Sequence, residues 1–205
     1  MKLSTLSIGR SAIALAAMCI VAASAHAAPV ISSSAGSVGI AQNLNGLFTM
    51  DADATIQDST EIGHVEITQS GRPGVGEDWY MFSHLGGTVH LDMDGPSNVD
   101  MEIGIWNSVG TLMASNDDNG SDPGSDSVFN AALFGLNLAA GDYFVGVCRF
   151  SCSFGGGFSM TGSDLFDGAR YRFNISANNV PEPGSLALAG LALLGLGAAR
   201  RRAAR

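Results

Sequence analysis

The sequence predicts an all-β protein, an antiparallel β-sandwich with a jelly-roll-like wrap, on three observations. The middle of the chain alternates apolar and polar residues with a period of two. Turn residues break those runs at short intervals. Glycine is abundant, 27 of 205 residues, while long helix formers are scarce between the two ends. Removing the apolar ends leaves roughly 150 residues, enough for one domain around one core.

Residues 28–60 are rich in Ser, Ala, Gly and Asn, with short alternations at Val38 and Ile40 and at Leu47 and Phe48. They are expected to supply a strand or two joined by loops. The sandwich itself is expected over residues 61–178. His64 to Thr68 reads as one strand, a turn follows through Gly71, Pro73, Gly74 and Gly76, and Asp78-Trp79-Tyr80-Met81-Phe82 reads as the next. After Gly86-Gly87, Val89, Leu91 and Met93 fall on one face of a strand and Thr88, His90, Asp92 and Asp94 on the other. The second face is expected to be wet. Met101, Ile103 and Ile105 alternate again, Trp106 ends that strand, and Leu112 with Ala114 begins a short one. Small helical turns are expected near Phe129 to Leu136. Tyr143, Val145 and Val147 mark the next strand, and Tyr171, Phe173 and Ile175 the last.

Charge narrows the partners. Between residues 28 and 183 the 19 acidic residues meet only Arg72, Arg149, Arg170 and Arg172, a net charge of about −15. A field of that sign repels polyphosphate, so no nucleic acid is expected.

The ends read as addresses. Met1 to Arg10 is weakly basic, Ser11 to Ala23 is apolar, and Ser24-Ala25-His26-Ala27 has the small-x-small pattern that signal peptidase cuts before Ala28. Residues 1–27 are thus read as an export signal whose apolar run is helical. Cys19 leaves with it, so Cys148 and Cys152 remain, in an oxidising compartment. A structural disulfide and two free thiols both stay open for this pair, because geometry decides between them. A redox or zinc site would need further ligands.

The tail over residues 180–205 has three parts. Val180-Pro181-Glu182-Pro183-Gly184 cannot continue a helix, Ser185 to Ala199 is almost wholly apolar, and Arg200, Arg201 and Arg202 form a basic stop. Fifteen apolar residues at ~1.5 Å each span about 22 Å, short of a ~30 Å hydrocarbon core. The expectation is a thin transmembrane helix whose arginines reach the cytoplasmic face. Pro181-Glu182-Pro183, the apolar stretch and the arginine cluster resemble the PEP-CTERM protein-sorting signal of Gram-negative bacteria, over about 25 of the 205 residues. That resemblance implies recognition by a membrane-embedded, transpeptidase-like exosortase and a destination at the cell surface or in the extracellular matrix. An ordinary single-pass anchor is the competing reading.

Within the body, four segments occur in a telling order: Asp78-x-Tyr80-x-Phe82, Asp100-x-x-Ile103-x-Ile105-Trp106-Asn107-x-x-Gly110, Asn116-Asp117-Asp118, and Leu138-x-x-Gly141-x-Tyr143-x-Val145-x-Val147. Together they resemble the bacterial pre-peptidase C-terminal type of β-sandwich, over about residues 60–178.

Asp117, Asp118, Asn119, Ser121, Asp122, Ser125 and Asp126 form the densest polar group, punctuated by Gly120, Pro123 and Gly124. Carboxylates so close repel by about 1 kcal/mol per pair even in water, and a hard cation with oxygen ligands relieves them. Calcium is the candidate ion, against a solvated acidic loop; EF-hand spacing fails because Asp122 stands where its glycine belongs. Asp92, Asp94 and Asp100 make a second, weaker acidic group. No catalytic residue is named: His64, His84 and His90 lack the spacing of a zinc cluster or a nucleophile's base, and Trp79, Tyr80 and Trp106 read as core before sugar-stacking platforms. Beyond calcium, no cofactor is expected.

The functional expectation is an exported, non-enzymatic protein. It is anchored for a time in the inner membrane by its tail, then displayed at the surface or in the polysaccharide matrix. A calcium-dependent carbohydrate-binding or adhesive module and a small secreted hydrolase are the alternatives.

Overall fold

The computed structural model describes residues 30–31, 36–56, 58–70, 77–95, 99–119, 122, 124–125, 127–162, 170–180 and 194. The export signal, Asp126 and the tail beyond Val180, apart from Leu194, lie outside these. Among the described residues no helix is long and apolar enough to cross a membrane.

Among the described residues ten strands follow one another, with one 3-10 turn (Val38–Ile40) near the start. They are β1 (Val30–Ile31), β2 (Gln42–Asn43), β3 (Gly63–Ser70), β4 (Glu77–Asp94), β5 (Met101–Asn107), β6 (Leu112–Asn116), β7 (Ala132–Arg149), β8 (Ser153–Gly155), β9 (Ser159–Thr161) and β10 (Arg170–Ala177). Eight of them share one sheet in the order β1-β3-β10-β4-β7-β5-β6, with β2 on the free side of β4; β8 and β9 form a separate hairpin.

The sheet becomes a two-layered sandwich because β4 and β7, 18 residues each, pair antiparallel along most of their length and run through both layers. The first half of β4 pairs with β2 and with the β7 segment that also carries β5. Its second half pairs with β10, which brings β3 and β1. Between the halves stand Gly86 and Gly87, at φ 100° and 129°, values that a side chain disfavours. Across them the buried set changes parity, from Tyr80, Phe82 and His84 to Val89, Leu91 and Met93. Both halves therefore face one core, where Tyr80 packs on Phe173 with ring centroids 5.5 Å apart.

Sequence alternation places the apolar faces of β4, β5, β7 and β10, and some expectations need correcting. The segment expected to hold helical turns is a turn at Phe129 followed by β7 from Ala132, because its backbone pairs with β4 at Leu91 and Asp92. The face of β4 expected to be wet is half-exposed at Thr88 and His90 but closed at its end, where Asp92 and Asp94 are 6% and 4% exposed. Part of the connection between β6 and β7 covers them, with Gly124 seated on Asp94.

β5 is buried on both faces. Its outer side holds a second core of Trp79 and Trp106, closed by Phe144, Phe154, Phe158 and Met160. Gly104 and Gly146 are paired across β5 and β7, and a Cβ on Gly104 would stand 2.6 Å from the Phe154 ring and 2.7 Å from that of Trp106. The missing side chains make the trough that the β8–β9 hairpin fills.

Candidate functional site

The acidic residues gather in two places. On β4, Asp92 and Asp94 alternate onto one face, and β10 sets Asn174 opposite Asp92 and Arg172 opposite Asp94. The connection between β6 and β7 adds Asp122. One carboxylate oxygen from each of Asp92, Asp94 and Asp122 lies within 4.8 Å of the others. Asn174 Nδ2 donates to Asp94 Oδ2 at 2.8 Å, and Ser125 Oγ donates to Asp122 Oδ1 at 2.6 Å. Gly124 sits at φ 102°, and a Cβ there would meet Asp94 Oδ2 at 2.6 Å, so the chain passes directly over that carboxylate.

The electrostatics follow from this crowding. Burial, then the neighbouring Asp94 and Asp122, pushes the Asp92 carboxyl up to about 8. Asp94 is pushed up to about 6, mainly by burial, with Arg172 and the Asn174 bond opposing. Asp92 Oδ1, Asp94 Oδ1, Asp122 Oδ2 and Asn174 Oδ1 are buried without a hydrogen-bond partner. Buried acceptors of this kind are ordinarily satisfied.

The second group is more open. Asp100, Asp117 and Asp118 also bring carboxylate oxygens within 4.8 Å, but Asp117 and Asp118 are exposed. Nearby, Glu102 on β5 is buried and accepts the Cys152 N–H at 3.0 and 3.1 Å on its two oxygens. Burial pushes Glu102 up to about 7, with the Cys152 bond opposing and Asp117 and Asp100 adding to the rise. Glu102, Asp117 and Asp118 line an open groove of about 500 Å³ beside Cys152 and Phe154.

The residues expected to form one calcium loop are therefore divided. Asp117 and Asp118 join Asp100, Asp122 joins Asp92 and Asp94, Asn119 is exposed with its N–H on Asn130 O, and Asp126 is outside the described residues. Asn174 and Glu102 escape the sequence reading, whereas Ser125 belongs to the polar group that it names. The first two sit in strands whose local pattern carries no sign of their distant neighbours. Cys148 and Cys152 are joined by a disulfide. Trp79 and Trp106 are core, and Trp106 Nε1–H donates to Gly155 O at 2.7 Å. His64, His84 and His90 join none of the acidic groups, and burial lowers His84 and His90.

Comparison with known proteins adds two findings. Residues 179–202 match the PEP-CTERM protein-sorting motif. Among solved structures the chain is similar to the pre-peptidase C-terminal domain of collagenase from Bacillus anthracis, at 13% identity and a TM-score of 0.38, covering 55% of this chain and 88% of that one. No curated protein matches the sequence. The motif bears on Pro181, Glu182, Pro183, Arg200, Arg201 and Arg202, all within the matched span. The tail is a PEP-CTERM sorting signal, which supports an exported protein handled by an exosortase.

Proposed function

We propose that the chain is a non-enzymatic β-sandwich held in the inner membrane by its tail until an exosortase acts, and then displayed at the cell surface or in the polysaccharide matrix. The sorting motif at residues 179–202 carries this reading. The junction supports it. After β10, Asn178 exchanges backbone and side-chain bonds with Thr88 at 3.2 and 2.8 Å, and Asn179 binds Leu85 and Gly86 at 2.9 and 2.8 Å. Val180 packs on the main core. The sandwich thus ends within a residue of Pro181, and cutting after the proline pair would remove none of the core named above.

Intact mass of the protein recovered from the cell surface or medium tests this. The expected species lacks residues 1–27 and everything after about Pro183. Extracellular material that retains Arg205 would overturn it.

A further inference from the structure

We propose that Asp92, Asp94, Asp122 and Asn174 form a calcium site that fastens the connection between β6 and β7 onto the sandwich. This goes beyond sorting and display and does not depend on them. Oxygens bound to one calcium at about 2.4 Å can be no more than about 4.8 Å apart. The three carboxylates meet that limit, each offering an oxygen within 4.8 Å of the other two.

The independent pointer is Asn174. It is not acidic, it is 1% exposed, and its Oδ1 has no hydrogen-bond partner. Its Nδ2 rests on Asp94, and its strand register sets it opposite Asp92, so the amide is aimed into the cluster from β10. A cation draws an amide oxygen where a carboxylate draws the nitrogen, and rotation about the last side-chain bond exchanges the two.

Charge and chemistry choose the ion. Three ionised carboxylates beside Arg172 leave a charge of −2, which a divalent cation cancels. The donors are all oxygen, with neither thiolate nor imidazole, which disfavours zinc. Magnesium demands a near-ideal octahedron and keeps several waters, whereas calcium accepts an irregular set of carboxylate and amide oxygens. Asp92 and Asn174 lie on paired strands, and Asp122 comes from a loop of which, among the described residues, Ala131 at its end joins the core. Binding would therefore stiffen the loop more than the sheet.

The exported full chain, stripped with chelator, is titrated with calcium chloride by calorimetry and by thermal melting, with magnesium chloride as comparison. One calcium per chain is expected. The melting temperature should rise by about 5–10 °C once free calcium is about a hundredfold above Kd, and magnesium should do less. Asp122→Asn should raise the metal-free melting temperature, by relieving repulsion, and abolish the calcium shift. Asn174→Ala, which changes no charge, should weaken binding about tenfold or more and keep the fold. Asp118→Asn should bind as the parent does. No shift at millimolar calcium, a shift that survives both Asp122→Asn and Asn174→Ala, or one lost in Asp118→Asn would overturn the assignment.

Discussion

Tyr171 donates its phenol to Asp78 Oδ2 at 2.8 Å and is bonded by Tyr80 at 2.6 Å, so a buried carboxyl on the first half of β4 is held from β10 in the facing layer. Burial, with Tyr80 and Asp78 adding to it, raises the Tyr171 phenol well above its ordinary range and keeps it a donor. The Asp78-x-Tyr80 spacing is legible as a strand. Its partner lies 91 residues beyond Tyr80 and is not. Glu102 shows the same limit. Its carboxyl is pushed up to about 7, first by burial, because it lies under the loop closed by Cys148 and Cys152. With the folded value above the unfolded one, its contribution is complete below about pH 4.5 and is lost as pH rises through 7. Measured with chelator present, the melting temperature of Glu102→Gln should fall less than the parent's between pH 4.5 and 8, by roughly 2–4 °C. Parallel profiles for the two proteins would refute the assignment.

At the scale of elements, β4 departs most from a simple reading. Two strands are expected around Gly86-Gly87, and one bent strand of 18 residues is found. A glycine pair reads locally as a turn; whether the chain reverses or continues depends on a partner that keeps register, and β7 pairs Leu85 with Ala140 and Gly87 with Leu138. Gly87 is committed to that bend, since its φ is 129° and a Cβ there would stand 3.2 Å from both Asn178 Oδ1 and Asn179 Nδ2. Gly87→Val should cost about 1–3 kcal/mol in denaturant unfolding, from backbone strain alone. It should also loosen the junction before the tail, which amide exchange at Thr88 would report. The β8–β9 hairpin is missed for a related reason. Three-residue strands give too few alternations to register, and what holds them is the aromatic trough on the far side of β5.

For the molecule as a whole, the core among the described residues is built from the middle of the chain, between the two apolar ends. Val180 is the last residue that packs on that core among those described. A chain of residues 28–180 should therefore melt within about 2 °C of the processed exported protein, while stopping at Ala177 should lower the melting temperature by several degrees through loss of the Asn178 and Asn179 bonds. A large deficit in the 28–180 chain would mean that the tail contributes to the fold.

The sequence by itself determined the β class, the inward faces of β4, β5, β7 and β10, the sorting signal, and an excess of carboxylates. Each is written in neighbouring residues, as a period of two, as three tail segments in order, or as a local density of charge. Only the tertiary structure decided which carboxylates meet. Asp122 leaves its loop neighbours for Asp92 and Asp94, and Asn174 arrives from β10, because strand register sets which residues share a face. Register is fixed by pairing between segments tens of residues apart, and periodicity along one segment carries no record of it.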